Sequence, residues 1–132
     1  MILLDIEPYV LNRISNDYPA YLKAQYPDIK FTTSSRDLAT TRFPLVYIHL
    51  SPSPEIGEDL SGDSINGINA TIDISVIDNH SQTRAKSVLS QVLLIMKSMR
   101  FRIVEIPYYD NGDSTYKCIA RCKRIVGAND VL

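Results

Sequence analysis

The sequence predicts an α+β domain in which helices cover one face of a mainly antiparallel sheet, with elements in the order α-β-β-β-α-β-β. Three observations predict it. Residues 68–76 alternate strictly: Ile68, Ala70, Ile72, Ile74 and Val76 face one side, and Asn69, Thr71, Asp73 and Ser75 face the other, as in a half-buried strand. Ala85, Val88, Leu89, Val92, Ile95, Met96 and Met99 recur at helical spacing, and only a sheet can cover such a stripe. Asp110-Asn111-Gly112-Asp113 separates two further strands as a hairpin turn in which Asn-Gly supplies positive φ values.

The elements follow in order. Residues 5–16 form a helix, with Ile6, Val10 and Ile14 four apart, Asp5 placed to cap, and Pro8 in the first turn, where its missing N–H costs nothing. Asn16-Asp17-Tyr18-Pro19 ends or kinks it, and residues 20–25 add another turn before Pro27. Residues 29–33 make a short strand, and 34–42, rich in Ser and Thr, read as a connector. The next strand, 43–50, carries Val46, Ile48 and Leu50 on one face, with Pro44 at its entry, where it blocks no ladder bond. Residues 51–66, SPSPEIGEDLSGDSIN, read as a loop punctuated by Pro52, Pro54, Gly57 and Gly62. After the alternating strand, Asp78-Asn79-His80-Ser81 closes it and caps the apolar helix. Residues 100–109 make a strand with a phase break at Ile103-Val104 that marks a bulge. The last strand, 115–126, places Tyr116, Cys118, Ala120 and Cys122 inward and Lys117, Arg121 and Lys123 outward, and 127–132 form a frayed tail.

Composition narrows the function classes. At 132 residues, 45% hydrophobic and 22% charged, the chain reads as one folded domain spanning 1–132. A net charge of -1 argues against a dedicated nucleic-acid binder. No run approaches the roughly 20 apolar residues of a membrane span. The amino-terminal MILLDIEPYV meets Asp5 and Glu7 without a basic flank, unlike a secretory signal. Cys118 and Cys122 lie on one strand about 13 Å apart, at ~3.3 Å per residue, too far for a disulfide. Both read as free, buried, small apolar residues.

The small net charge hides a polarity. Residues 1–83 carry 5 basic against 11 acidic residues, and residues 84–132 carry 9 against 4. Complementary patches of this kind orient head-to-tail self-association.

The search for chemistry finds no phosphate-binding glycine loop. His49 lies mid-strand and His80 in a helix-entry turn, neither with an evident orienting acid. Asp73, Asp78, Asp110 and Asp113 are the carboxylates a metal-dependent nuclease would need to converge, but Asp110 and Asp113 are explained by turn chemistry. Four of the eight tyrosines lie in the acidic amino-terminal third, which suits packing and interfaces better than base stacking. On its residues alone the chain reads as a non-enzymatic interaction domain with no cofactor.

The ordered whole is familiar. A helix leads to FPLVYIHL, an acidic Gly/Pro loop and a strand ending in IDISVIDN; RAKSVLSQVLLIMKSMRF and the YYDNGDSTYKCIARCKR hairpin follow. Over residues 3–126 this layout resembles the tail-terminator (tail-completion) proteins of long-tailed bacteriophages, small α+β subunits that assemble into a ring. The resemblance implies a homohexameric ring capping the head-proximal end of the tail tube. Such a ring stops tube elongation and joins the tail to the head connector. It further implies the tail-tube and head–tail connector proteins as partners, a place in the virion, and DNA that passes through the lumen without sequence-specific binding. Connector-adaptor and tail-tube subunits share this texture; a leading helix and no evident polymerising arm favour the terminator. A small ligand-binding regulatory domain, monomeric or dimeric with an apolar pocket, is the reading of another class.

The 51–66 segment then acquires a role. Its Glu55, Glu58, Asp59 and Asp63 stand without a basic residue, in a connection long for a hairpin. They suit either a DNA-repelling lumen or the outward Lys117, Arg121 and Lys123 of a neighbouring subunit.

Overall fold

A computed structural model describes residues 6–34, 43–51, 55–58, 65–112 and 114–127. Among the described residues, three helices, α1 (Ile6–Asp17), α2 (Ala20–Gln25) and α3 (Gln82–Ser98), accompany six strands: β1 (Lys30–Thr32), β2 (Leu45–Ser51), β3 (Glu55–Glu58), β4 (Ile65–Asp78), β5 (Arg102–Tyr109) and β6 (Tyr116–Gly127). The strands form one sheet in the order β1-β2-β4-β6-β5, with β3 also paired to β4. Among the described strands only the β1–β2 pair is parallel; the other pairings are antiparallel, so this is the α+β architecture expected from the sequence.

The apolar patterning places the core. Ile72, Ile74 and Val76 of β4 are fully buried, as are Val46 and Ile48 of β2 and Ala120 and Cys122 of β6. Ala85, Val88, Leu89, Val92 and Met96 bring the α3 stripe down on this face, and Ile6, Val10 and Ile14 bring α1. The Glu7 carboxylate of α1 accepts the Leu50 backbone N–H at 2.8 Å, beyond the three residues over which β1 pairs with β2. That bond blunts an otherwise unpaired sheet edge. Tyr18 follows α1 into the core against Phe31, with ring centroids 5.4 Å apart, and burial pushes its phenol pKa up to about 12.

Both ends of α3 are closed by local chemistry. Ser81 is the N-cap, and its side chain accepts the Arg84 N–H at 3.0 Å. At the other end Phe101 N–H bonds the Met96 carbonyl and Arg100 N–H bonds the Lys97 carbonyl, the paired bonds of a Schellman closure. Phe101 and Met96 are both buried, completing its hydrophobic contact. The left-handed position falls on Arg100, at φ 66°, where glycine is the usual residue.

Four readings change. Within the expected 51–66 loop, Glu55–Glu58 form a strand, with Glu55 opposite Ile68 and Glu58 opposite Ile65, and β4 begins three residues earlier than its side-chain alternation indicates. Pairing here is made by the backbone, which a Gly- and Pro-punctuated pattern does not reveal. The 110–113 turn takes no positive φ at Asn111 or Gly112. A longer connection replaces it, closed by Asp110 N–H to the Lys117 carbonyl at 2.8 Å and Gly112 N–H to the Thr115 carbonyl at 3.0 Å. Tyr116, expected inward, is 37% exposed at the start of β6, although Asp78 opposite it is fully buried. Gly127, expected to begin the tail, still pairs with Gly67; residues 128–132 lie outside the described residues, as does most of the 34–42 connector.

The expected bulge at Ile103-Val104 is present, with a second irregularity between Glu105 and Tyr108. Pro107 lies within the second and has no N–H to give the ladder, which an edge strand tolerates.

Candidate assembly surface

The sheet face opposite α1 and α3 is covered by no described element. Side chains from β2, β4, β6 and β5 cross it in rows set by the strand register. One row reads His49, Asp73, Arg121, Glu105, with Arg121 between two acids. Arg121 Nε donates to Asp73 Oδ1 at 2.7 Å, and Ser51 Oγ donates to Asp73 Oδ2 at 2.7 Å. Burial alone would raise the Asp73 pKa, but the bonds from Arg121 and Ser51 outweigh it and hold the carboxyl below its ordinary 3.8. His49, exposed and stacked on Tyr47 at 5.9 Å, adds to this lowering.

A pH dependence follows. Because the folded-state pKa of Asp73 is depressed, its contribution is fully present above pH 3.8 and is lost as pH falls through the lower folded value. Asp73→Asn is expected to remove that part of the acid-induced loss of stability. Thermal melts between pH 2 and 6 check this: parallel curves for the two proteins would show that the Arg121 bond contributes nothing.

The adjacent row reads Ser51, Thr71, Lys123, Arg102 and contains no acid. Beside it Arg100, Arg102, Lys123, Arg124 and Ile125 line an open cleft of about 360 Å³. Arg124 Nη1 donates to the Met99 carbonyl at 3.1 Å, tying β6 to the end of α3. Ile125 stands 63% exposed at the rim. A second cleft of about 370 Å³ lies at the other end of the sheet, where Phe43, Ile77, Asp110, Asn111 and Lys117 meet.

The residues singled out from the sequence are therefore dispersed. Lys117 is half-buried in the second cleft, Lys123 lines the first, and Arg121 is engaged by Asp73 of its own chain. Glu55 and Glu58 have their backbones in β3, and Asp59 and Asp63 lie outside the described residues. Sequence reasoning missed Arg100, Arg102 and Arg124 as partners of Lys123. The available signal was the pair of dibasic stretches, Arg100-Phe101-Arg102 and Lys123-Arg124, on strands joined by one hairpin.

The carboxylates of the nuclease reading do not converge. Asp73 projects to the open face and Asp78 to the core, where it is fully buried. Asp78 Oδ2 accepts the His80 and Ser81 N–H groups at 3.1 and 3.2 Å, while Oδ1 lies 3.4 Å from Arg84 Nε. That last contact is an ion pair without hydrogen-bond alignment. The His80 side chain is exposed, so only its backbone takes part. Asp113 lies outside the described residues, and among those residues no three His, Cys, Asp or Glu side chains are grouped to hold a metal. Cys118 and Cys122 are free and buried; burial raises both thiol pKa values, that of Cys122 to about 12.

No protein-family model matches this chain, and no curated protein sequence matches it. Among solved structures, it is similar to a chain in the virion of a native gene transfer agent (GTA) particle. The identity is 16%, the match covers 90% of this chain and 92% of that one, and the TM-score is 0.44.

Proposed function

We propose that this chain is a structural subunit of a phage virion, a tail-terminator-like protein that closes into a ring on the head-proximal end of the tail tube. It acts by assembly rather than catalysis. The observation that carries the reading is the uncovered sheet face, where Tyr108 and Ile125 stand exposed among cross-strand rows of charge. A face of this kind suits contact with another protein, because exposed aromatic and aliphatic groups supply burial and charge rows supply orientation. The division of charge along the chain suits a heterologous, head-to-tail contact, the type that closes into rings. The layout of the sequence and its resemblance to tail terminators supply the rest. Both of these clefts are open, and each has charged residues in its lining.

The test is the mass of the protein in solution, with electron microscopy after addition of tail tubes. Six-fold rings on tube ends are expected; a monomer or dimer that leaves the tubes bare would sink the reading.

The acidic segment offers a second measurement. β3 pairs with β4 from Glu55 opposite Ile68 to Glu58 opposite Ile65, which carries that pairing past Gly67, where the β4–β6 pairing ends. Replacing Glu55, Glu58, Asp59 and Asp63 with Lys is expected to leave the subunit folded and to impair ring function. Lost rings with salt-sensitive assembly place these acids at a subunit contact, and intact rings that retain DNA place them in the lumen. Normal assembly and normal DNA passage would remove the segment from the mechanism.

A further inference from the structure

We propose that the open sheet face docks a second copy of this chain in a closed two-fold pair, independently of whether the chain forms a ring. Tyr108 on this face is 47% exposed and the Arg121 side chain 44%, and His49 and Glu105 are exposed beside them. The central row carries His49, Asp73, Arg121 and Glu105 on β2, β4, β6 and β5. The next row carries Tyr47, Ser75, Ile119 and Tyr108 on the same strands in the same order.

Irregularity in β5 builds this pattern. In an unbroken strand Glu105 would lie on the face opposite Arg102 and Tyr108, because side chains alternate. The register shifts on either side of it set Glu105 opposite Arg121, and so on the open face with both. Irregularities of this kind re-aim a side chain. Here they place an acid at the β5 end of the central row, with His49 at its β2 end.

Each row, read in reverse, complements itself. A two-fold axis along the strands, between β4 and β6, lays every row on the same row of the second copy, end for end. Asp73 then meets Arg121 of the second copy, His49 meets Glu105, Tyr47 meets Tyr108 and Ser75 meets Ile119. In the third row Lys123 and Arg102 meet the uncharged Thr71 and Ser51, so no like charges face each other. An axis across the strands, between the central and third rows, would instead bring Arg121 onto Lys123. Asp73 and Arg121 are already bonded at 2.7 Å within the chain. The second copy adds an opposite charge to each, which offsets the cost of drawing the pair out of water. Aligned sheets pack about 10 Å apart, a gap that arginine and tyrosine side chains fill. Four strands at ~4.8 Å and three rows at ~6.7 Å give each copy a face of roughly 20 by 20 Å. Two such faces fall short of the ~1,200 Å² at which stable interfaces begin, so the pair is weak and reversible.

Sedimentation of the full chain, from micromolar to near-millimolar concentration, is expected to show a monomer–dimer equilibrium. His49→Glu sets an acid against Glu105 of the second copy, twice in each pair, and is expected to weaken dimerisation by about tenfold or more. Glu105→Lys is expected to weaken it less, by loss of the same contact. An equimolar mixture of these two variants is expected to dimerise more tightly than either alone, because one contact is restored and the other becomes an acid–lysine pair. Thermal melts verify that each variant is folded. Tyr108→Ser, on the adjacent row, is a further weakening variant that changes no charge, and Lys86→Gln, an exposed change on α3, is expected to leave dimerisation unchanged. A parent that stays monomeric throughout would overturn the proposal, as would a mixture no tighter than its components or a dimer indifferent to all three face variants. Electron microscopy with tail tubes separates the pair from the ring. A monomer that caps tubes overturns the pair and leaves the ring, whereas a two-fold pair beside bare tubes does the reverse.

Discussion

Ile74→Ala is expected to lower stability by about 2–5 kcal/mol, the range for truncating a large aliphatic side chain in a close-packed core. Ile74 is fully buried on β4, the central strand, between Ile48 of β2 and Ala120 of β6 and beneath α3. Neighbours held on both sides by ladder bonds cannot collapse into the vacancy, which places the loss toward the upper part of the range. At this chain length about 1 kcal/mol corresponds to a shift of roughly 4 °C, so Tm is expected to fall by on the order of 10 °C or more. Asp73→Ala, one residue away on the open face, is expected to cost a small fraction of that. Thermal melts of the two variants check the assignment of faces, and equal losses would contradict it.

Arg84→Ala carries the second large effect. Asp78 is a fully buried carboxylate whose Oδ1 faces Arg84 at 3.4 Å, while its other oxygen holds the backbone that enters α3. Removing the guanidinium leaves a buried charge with two N–H donors and no counter-ion, which is expected to cost about 3 kcal/mol. The same guanidinium lies over the Tyr26 ring at 4.6 Å, joining the end of α2 to the start of α3. Arg84→Lys is therefore expected to recover only part of the loss, because an ammonium on a flexible stem does not stack as a planar group does. Asp78→Asn combined with Arg84→Ala is expected to be less destabilised than the sum of the two single changes. Urea unfolding of the four proteins measures that coupling, and strict additivity would show that the two groups do not act on each other.

Legibility followed the physics of each signal. The buried faces of α1, α3, β2 and β4 were readable because burial imposes a period on the side chains, as at Ile6, Val10 and Ile14 or at Ile72, Ile74 and Val76. Ser81 was readable as part of a cap because capping is a contact within one turn. β3 was not, because Glu55 and Glu58 are held opposite Ile68 and Ile65 by backbone pairing across residues chosen for charge and turn. The hairpin between β5 and β6 was read with the wrong turn, and this concealed the candidate site. A two-residue turn at Asn111-Gly112 would set Arg102 opposite Arg121. The longer connection and the irregularities at Ile103–Glu105 and Glu105–Tyr108 set it opposite Lys123 instead.

Residue types and their spacing thus determined the fold class, the buried stripe of each long element, the free state of both cysteines and the division of charge along the chain. These depend on one segment at a time, and hydrophobic periodicity and local sterics act within a segment. Only the tertiary structure decided which charges meet. It gave Arg121 to Asp73, left Lys123 against Arg102, brought Arg84 to Asp78, and placed Arg100 at the left-handed end of α3 beside them. Each of these pairings joins residues on different elements, and a shift of one residue in strand register would send a side chain to the opposite face. Charge carries no period that fixes such a register, whereas the packing of α3 against the sheet does.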